Sequence, residues 1–177
     1  EVIAVAIHML DNEEATVNDL MKYIKGPDFP TGALILGVDG LKDAYKKGKG
    51  SLRVRGEHAI EENKGKTAIV INAVPYQVSI ESIAEKAAEA VEAGTIQGVK
   101  DIRNESGQGK TRLVIDLKPG ADANVILNNL YKHTPMQTTI PMNMLALVDG
   151  VPKTLRLDEF ISQWINHQKE VIRRRSQ

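Results

Sequence analysis

Apolar and polar positions alternate with a period of two from Leu52 to Ile60: Leu52, Val54, Gly56, His58 and Ile60 on one side, Arg53, Arg55, Glu57, Ala59 and Glu61 on the other. That pattern predicts a half-buried strand with one charged face. Glu62-Asn63-Lys64-Gly65 supplies a turn, and the return segment from Thr67 to Val74 is apolar at nearly every position. A strand of that kind is covered on both faces and belongs inside a sheet. A second hairpin is predicted where Lys100–Asn104 and Thr111–Lys118 flank Ser106-Gly107-Gln108-Gly109.

Elsewhere the period lengthens to three or four. Helical patterns cover Glu1–Leu10, a short stretch after Thr16 through Lys25, Leu41–Lys47, Ser79 to about Ala93, Asp122 to about Lys132, and everything from Leu157 onward. Thr16 with Asp19 has capping-box spacing, and Ser79 and Asp122 are good N-cap residues. Gly94 sits where a helix ends, and Thr134-Pro135 stops the helix before it. Gly26-Pro27-Asp28-Phe29-Pro30-Thr31-Gly32 enforces an extended loop, with short strands predicted at Ala33–Gly37, Asn143–Val148 and Pro152–Leu155 around Asp149-Gly150. Hairpins with segregated helices predict an α+β fold, not a doubly wound one.

Length adds that 177 residues suffice for one domain with a proper core. The chain starts inside a helical pattern without methionine and stops at Arg173-Arg174-Arg175-Ser176-Gln177 without a helix stop, so it reads as a piece of a longer polypeptide. Lysines and arginines balance acids, 23 against 23, so no net field draws the chain to a polyanion and any such contact rests on a local patch. The densest patch is Lys46, Lys47, Lys49, Arg53 and Arg55, interleaved with Gly48 and Gly50, which let the backbone come close to a partner. Cations in that density suit phosphate contact, because neutralised phosphates supply most nucleic-acid affinity; a solvated outer strand face is the plainer reading. No cysteine is present, excluding disulfides and thiolate metal sites and suiting a reducing cytosol. The four histidines lack ligand-spaced neighbours. Gly107-Gln108-Gly109-Lys110-Thr111 lacks the upstream glycine and following helix of a phosphate-binding loop and reads as a hairpin turn. No apolar run is long enough to span a membrane.

Five stretches carry a resemblance: Gly26–Gly32, Val74-Pro75-Tyr76-Gln77-Val78, Leu127-Asn128-Asn129-Leu130-Tyr131-Lys132-His133-Thr134, Val148-Asp149-Gly150-Val151-Pro152-Lys153, and Asp158-Glu159-Phe160-Ile161 with His167 and Arg173-Arg174. Together, in this order, they resemble the breakage-reunion subunit of bacterial type IIA topoisomerases, that of DNA gyrase more than its paralogue in topoisomerase IV. The resemblance covers almost the whole chain. It implies a tower domain over residues 1–156 and, over 157–177, the first turns of the long helix toward the exit-gate coiled coil.

The resemblance also implies a parent enzyme, an ATP-dependent type II DNA topoisomerase of the cytoplasm, that changes supercoiling by double-strand passage. Its partners would be double-stranded DNA, the gyrase B subunit and a second copy of the gyrase A chain in an A2B2 assembly, with no membrane. Mg2+ and ATP would be bound by the B subunit and no cofactor by this chain. The family's nucleophilic tyrosine lies in an Arg-Tyr-Thr context on an upstream winged-helix domain. Tyr23, Tyr45, Tyr76 and Tyr131 have other neighbours, so no catalytic residue is expected here and the chain alone should not cleave DNA. What it implies instead is support for the arms of a bent gate segment. On their charge, Lys46, Lys47, Lys49, Arg53 and Arg55 are the candidate DNA contacts, with Lys132 and His133 as secondary candidates. The alternatives are the tower domain of a topoisomerase IV A subunit, or a purely structural dimer or B-subunit scaffold without direct DNA contact.

Overall fold

The computed structural model describes residues 1–177. In chain order the elements are α1 (Val2–Asp11), α2 (Val17–Leu20), β1 (Leu34–Leu36), α3 (Asp39–Lys47), β2 (Lys49–Arg55), β3 (Glu57–Asn63), β4 (Lys66–Ala73), α4 (Ile80–Glu92), β5 (Val99–Asn104), β6 (Leu113–Leu117), α5 (Ala123–His133), β7 (Gln137–Asn143), β8 (Leu145–Val148), β9 (Val151–Thr154) and α6 (Leu157–Ser176). Mixed helices and antiparallel strands with a long final helix make this the expected α+β fold. The chain divides into two compact units.

One unit comprises Glu1–Pro27, Gly37–Leu52 and Ile140–Gln177. In it α1, α2 and α3 each pack against α6, burying Val5, Leu20, Leu41, Ile161 and Ile165. The capping box is present: the Thr16 hydroxyl and backbone N–H both donate to the Asp19 carboxylate, at 2.7 and 3.1 Å. At the start of α6, the Arg156 N–H donates to Glu159 at 2.8 Å, satisfying a donor that helix geometry leaves free. The β8–β9 ribbon turns at Asp149-Gly150, both at positive φ.

The other unit comprises Asp28–Leu36 and Arg53–Thr139. Its centre is an antiparallel sheet ordered β3-β4-β6-β5, with α4 and α5 contributing to the core against it. As expected, β4 is interior, and Ile69, Val70 and Ile71 are inaccessible to solvent. The β3–β4 turn carries Lys64 and Gly65 at φ 50° and 76°, the left-handed pair that a two-residue hairpin requires. Ile69, Ile71, Leu113, Ile115, Ile83, Ala87, Ile126 and Leu130 form the core. Each large aliphatic side chain among them contributes about 1.5–3 kcal/mol relative to exposure. The buried Thr134 hydroxyl donates to the Leu130 carbonyl at 2.6 Å, closing α5 without an unpaired polar group. Phe29 and Tyr76 stack at 5.7 Å between centroids, so two separate proline-containing segments meet in this unit.

Two expectations are corrected. The alternating run from Leu52 to Ile60 is not one strand but two in different sheets: β2 lies between β1 and β7, and β3 edges the four-stranded sheet. The chain breaks at Gly56, whose N–H donates to the Met136 carbonyl at 2.8 Å and whose absent side chain leaves room for the Ala73 carbonyl. Burial follows, with Leu52, Val54 and Gly56 covered but His58 and Ile60 exposed. Strand β7 was not expected at all, because its Gln-Thr-Thr-Ile-Pro-Met-Asn composition is poorly alternating and includes a proline. As an edge strand in the order β1-β2-β7 it tolerates Pro141.

Candidate nucleic-acid interface

The five cations begin on the last turn of α3. Lys46 and Lys47 occupy that turn, where positive charge offsets the partial negative charge of the helix C-terminus. Gly48 caps the helix in the left-handed conformation, φ 76°. A side chain at Gly48 would meet the Thr154 methyl at 2.6 Å and the Leu155 carbonyl at 2.8 Å. One at Gly50 would meet the Ala44 backbone nitrogen at 2.7 Å and the Gly40 carbonyl. Both glycines are therefore required for packing within this chain.

Lys47 pairs with Asp43, one helical turn earlier, at 2.9 Å, and both side chains are largely exposed. Such a pair contributes at most about 0.5 kcal/mol and gives way to a stronger anion. Lys46 and Lys49 are exposed and form no ion pair in the structure. These three belong to the unit built on α6.

Arg53 and Arg55 belong to the other unit. Alternation along β2 buries Val54 and turns Arg53 to solvent, without an acid partner. Arg55 is half-buried and differently engaged. Its Nε and Nη2 donate to the Gln137 side-chain oxygen at 3.0 and 2.6 Å, and its guanidinium lies 3.9 Å from the centre of the Tyr131 ring. The Tyr131 hydroxyl is hydrogen-bonded to His58 Nδ1 at 2.9 Å. Arg55, Gln137, Tyr131 and His58 thus join β2, β7, α5 and β3 of that unit through one polar chain. Periodicity gave no sign of this anchor, since Arg53 and Arg55 are equivalent in an alternating strand; a cation two residues from another with Gln137 far downstream cannot be paired from sequence. Lys132 and His133, the secondary candidates, close α5 in its last turn and are exposed.

Burial raises the Tyr131 phenol above its ordinary value, and the adjacent Arg55 charge opposes that rise. A phenol raised in the folded state contributes stability that is complete below the unfolded value of about 10 and is lost as pH rises through the folded one. We expect Arg55→Gln to raise the Tyr131 titration midpoint further, followed by ring-carbon shifts in an NMR pH titration; an unchanged or lower midpoint would contradict the contact.

The other tyrosines have different surroundings. Tyr45 is buried, Tyr76 stacks on Phe29, and Tyr23 lies near His8. No three His, Cys, Asp or Glu side chains converge closely enough to hold a metal, and no helix is long and apolar enough to cross a membrane.

The class the structure defines is an α+β protein with a buried sheet core and exposed cations without acid partners at the end of α3 and on the solvent-facing side of β2. Comparison with known proteins narrows the class. The family model for the A chain of DNA gyrase/topoisomerase IV matches residues 1–177, and the chain belongs to that family. Among curated relatives, the DNA gyrase A chain of Streptomyces coelicolor is 48% identical over 181 aligned residues, covering 99% of this chain and 21% of the relative. Those of Halalkalibacterium halodurans and Clostridium acetobutylicum are 46% and 45% identical, covering 99% and 100% of this chain and 21% of each relative. The chain therefore spans about a fifth of the length of these relatives.

Proposed function

We propose that this chain is the tower region of a DNA gyrase A chain. In this role it supports the arms of bent duplex DNA while another part of the same polypeptide cuts and reseals it. The observation that carries the reading is the set of exposed cations without carboxylate partners, Lys46, Lys49 and Arg53, on a chain of the gyrase A family. Lys47 adds its charge when its exposed pair with Asp43 opens; Arg55, also proposed as a contact, principally holds β2 in place. Bending a duplex costs up to several kcal/mol depending on sequence, and cations along its arms offset that cost by releasing condensed counterions.

In this reading the parent is a cytoplasmic, ATP-dependent enzyme that alters supercoiling by double-strand passage. It assembles from two A and two B subunits, with Mg2+ and ATP bound by the B subunits. The strand-cutting tyrosine lies outside this chain. Covalent attack by that tyrosine would conserve the phosphodiester energy for resealing, a divalent ion held by the B subunit would supply charge stabilisation for the displaced oxygen, and this chain alone is inactive.

The test is the salt dependence of duplex binding by the complete gyrase A polypeptide. With about four phosphates neutralised, these side chains contribute about −3.6 to the slope of log K against log salt. Changing Lys46, Lys47, Lys49, Arg53 and Arg55 together to glutamine should flatten the slope by about that amount. An unaltered slope rejects the assignment and favours a scaffold that does not touch DNA.

A further inference from the structure

A second cationic surface, made of other residues than the five cations of α3 and β2, lies at one end of the four-stranded sheet. Strands β4, β5 and β6 and the loop after β6 enclose a groove of about 470 Å³ lined by Lys66, Lys100 and Lys118, with Gly65 and Gly120 at its edge. Lys66 and Lys118 each lie two residues beyond the paired Ala68 and Asp116. Continuing that register places the two like charges opposite one another, an arrangement that destabilises a bare sheet.

The acids along the groove do not relieve them. Asp101 and Asp116 both face Arg103, at 3.8 and 3.0 Å, and Arg103 also pairs with Glu105 at 2.9 Å. Farther along the same face, Arg112 takes up Glu61 and the second oxygen of Glu105 at 2.9 and 3.2 Å. The arginine bonds hold the Glu61 carboxyl below its ordinary range. The carboxylates are thus held by two arginines, and the three exposed lysines remain without an ion pair. Gly65 and Gly120, at φ 76° and 78°, present no side chain, and the space beside each is open.

We propose that this groove binds phosphate groups. Three ammonium groups mounted on separate segments of the sheet end suit a ligand whose anionic oxygens are spread over several ångströms, and lysine binds phosphate as a mobile point charge. The groove volume falls in the range of ordinary ligand sites. Both a nucleic-acid backbone and a free polyphosphate offer this chemistry.

The experiment compares the 177-residue chain with its K66Q/K100Q/K118Q variant in two arms. In the first, tripolyphosphate is titrated at low salt while amide shifts are followed by NMR. Saturable shifts at Gly65, Thr67, Lys118 and Gly120 are expected, with affinity at least tenfold lower in the variant and kept in K66R/K100R/K118R. In the second, binding of a short duplex is measured against salt, and loss of three phosphate contacts should flatten the slope by about 2.7. Loss in both arms identifies a nucleic-acid backbone; loss in the first alone identifies a free polyphosphate. Absence of saturable shifts, or equal affinity in the glutamine variant, overturns the proposal. All three lysines are exposed, so the variant should melt with the parent chain, and its result is separate from that of the α3–β2 glutamine variant.

Discussion

Replacing Ile115 with alanine is expected to destabilise the sheet-centred unit by about 4 kcal/mol. Ile115 is inaccessible to solvent and sits on β6 opposite Ile69 of β4 and Ile102 of β5. It belongs to the cluster that includes Ile83 of α4 and Leu130 of α5. Truncation removes the transfer free energy of three carbons and leaves a cavity that the strands on either side cannot collapse to fill. For a chain of this length each kcal/mol corresponds to about 2–4 °C in melting temperature, so a fall of about 8–16 °C should appear in thermal denaturation followed by circular dichroism. Val125→Ala, on the exposed side of α5, is the matched control and should move stability by less than about 0.5 kcal/mol. Equal effects from the two substitutions would show that the β6 core is not packed as described.

The second large effect is expected at Gly40, in the first turn of α3. A side chain there would coincide with the Ser51 carbonyl of β2, and no rotamer change relieves a clash with main chain. Gly40→Ala should therefore cost about 3 kcal/mol, the upper end for overpacking. Gly65 provides the comparison: its surroundings are open, but its φ of 76° penalises a side chain, so Gly65→Ala should cost only about 1 kcal/mol. Thermal melts of both variants check the order, and a Gly40→Ala protein as stable as the parent chain would disprove the close approach of α3 and β2. This contact bears on the proposed function, because it fixes the chain at Lys46, Lys47 and Lys49.

Local chemistry made much of the fold legible. Thr16 with Asp19, Ser79 and Asp122 mark helix starts because their side-chain oxygens satisfy free backbone donors nearby. Gly94, at φ 73° after α4, marks an end for the converse reason. The unbroken apolar run of β4 announced an interior strand. Strand β7 and the break at Gly56 were not legible, because each depends on a partner far along the chain: Gly56 on Met136 and Ala73, and β7 on β2.

The candidate site divides in the same way. Sequence alone determined that five cations lie within ten residues and that the chain resembles the breakage-reunion chain of a topoisomerase, since both are properties of residue order. Which cations remain available was decided only by tertiary structure: Arg55 is drawn to Gln137 and Tyr131, Arg53 stays in solvent, and Lys66, Lys100 and Lys118 gather at one groove. The physical reason is that a charged side chain takes its role from the nearest opposite charge or ring in space, and folding sets that distance independently of separation along the chain.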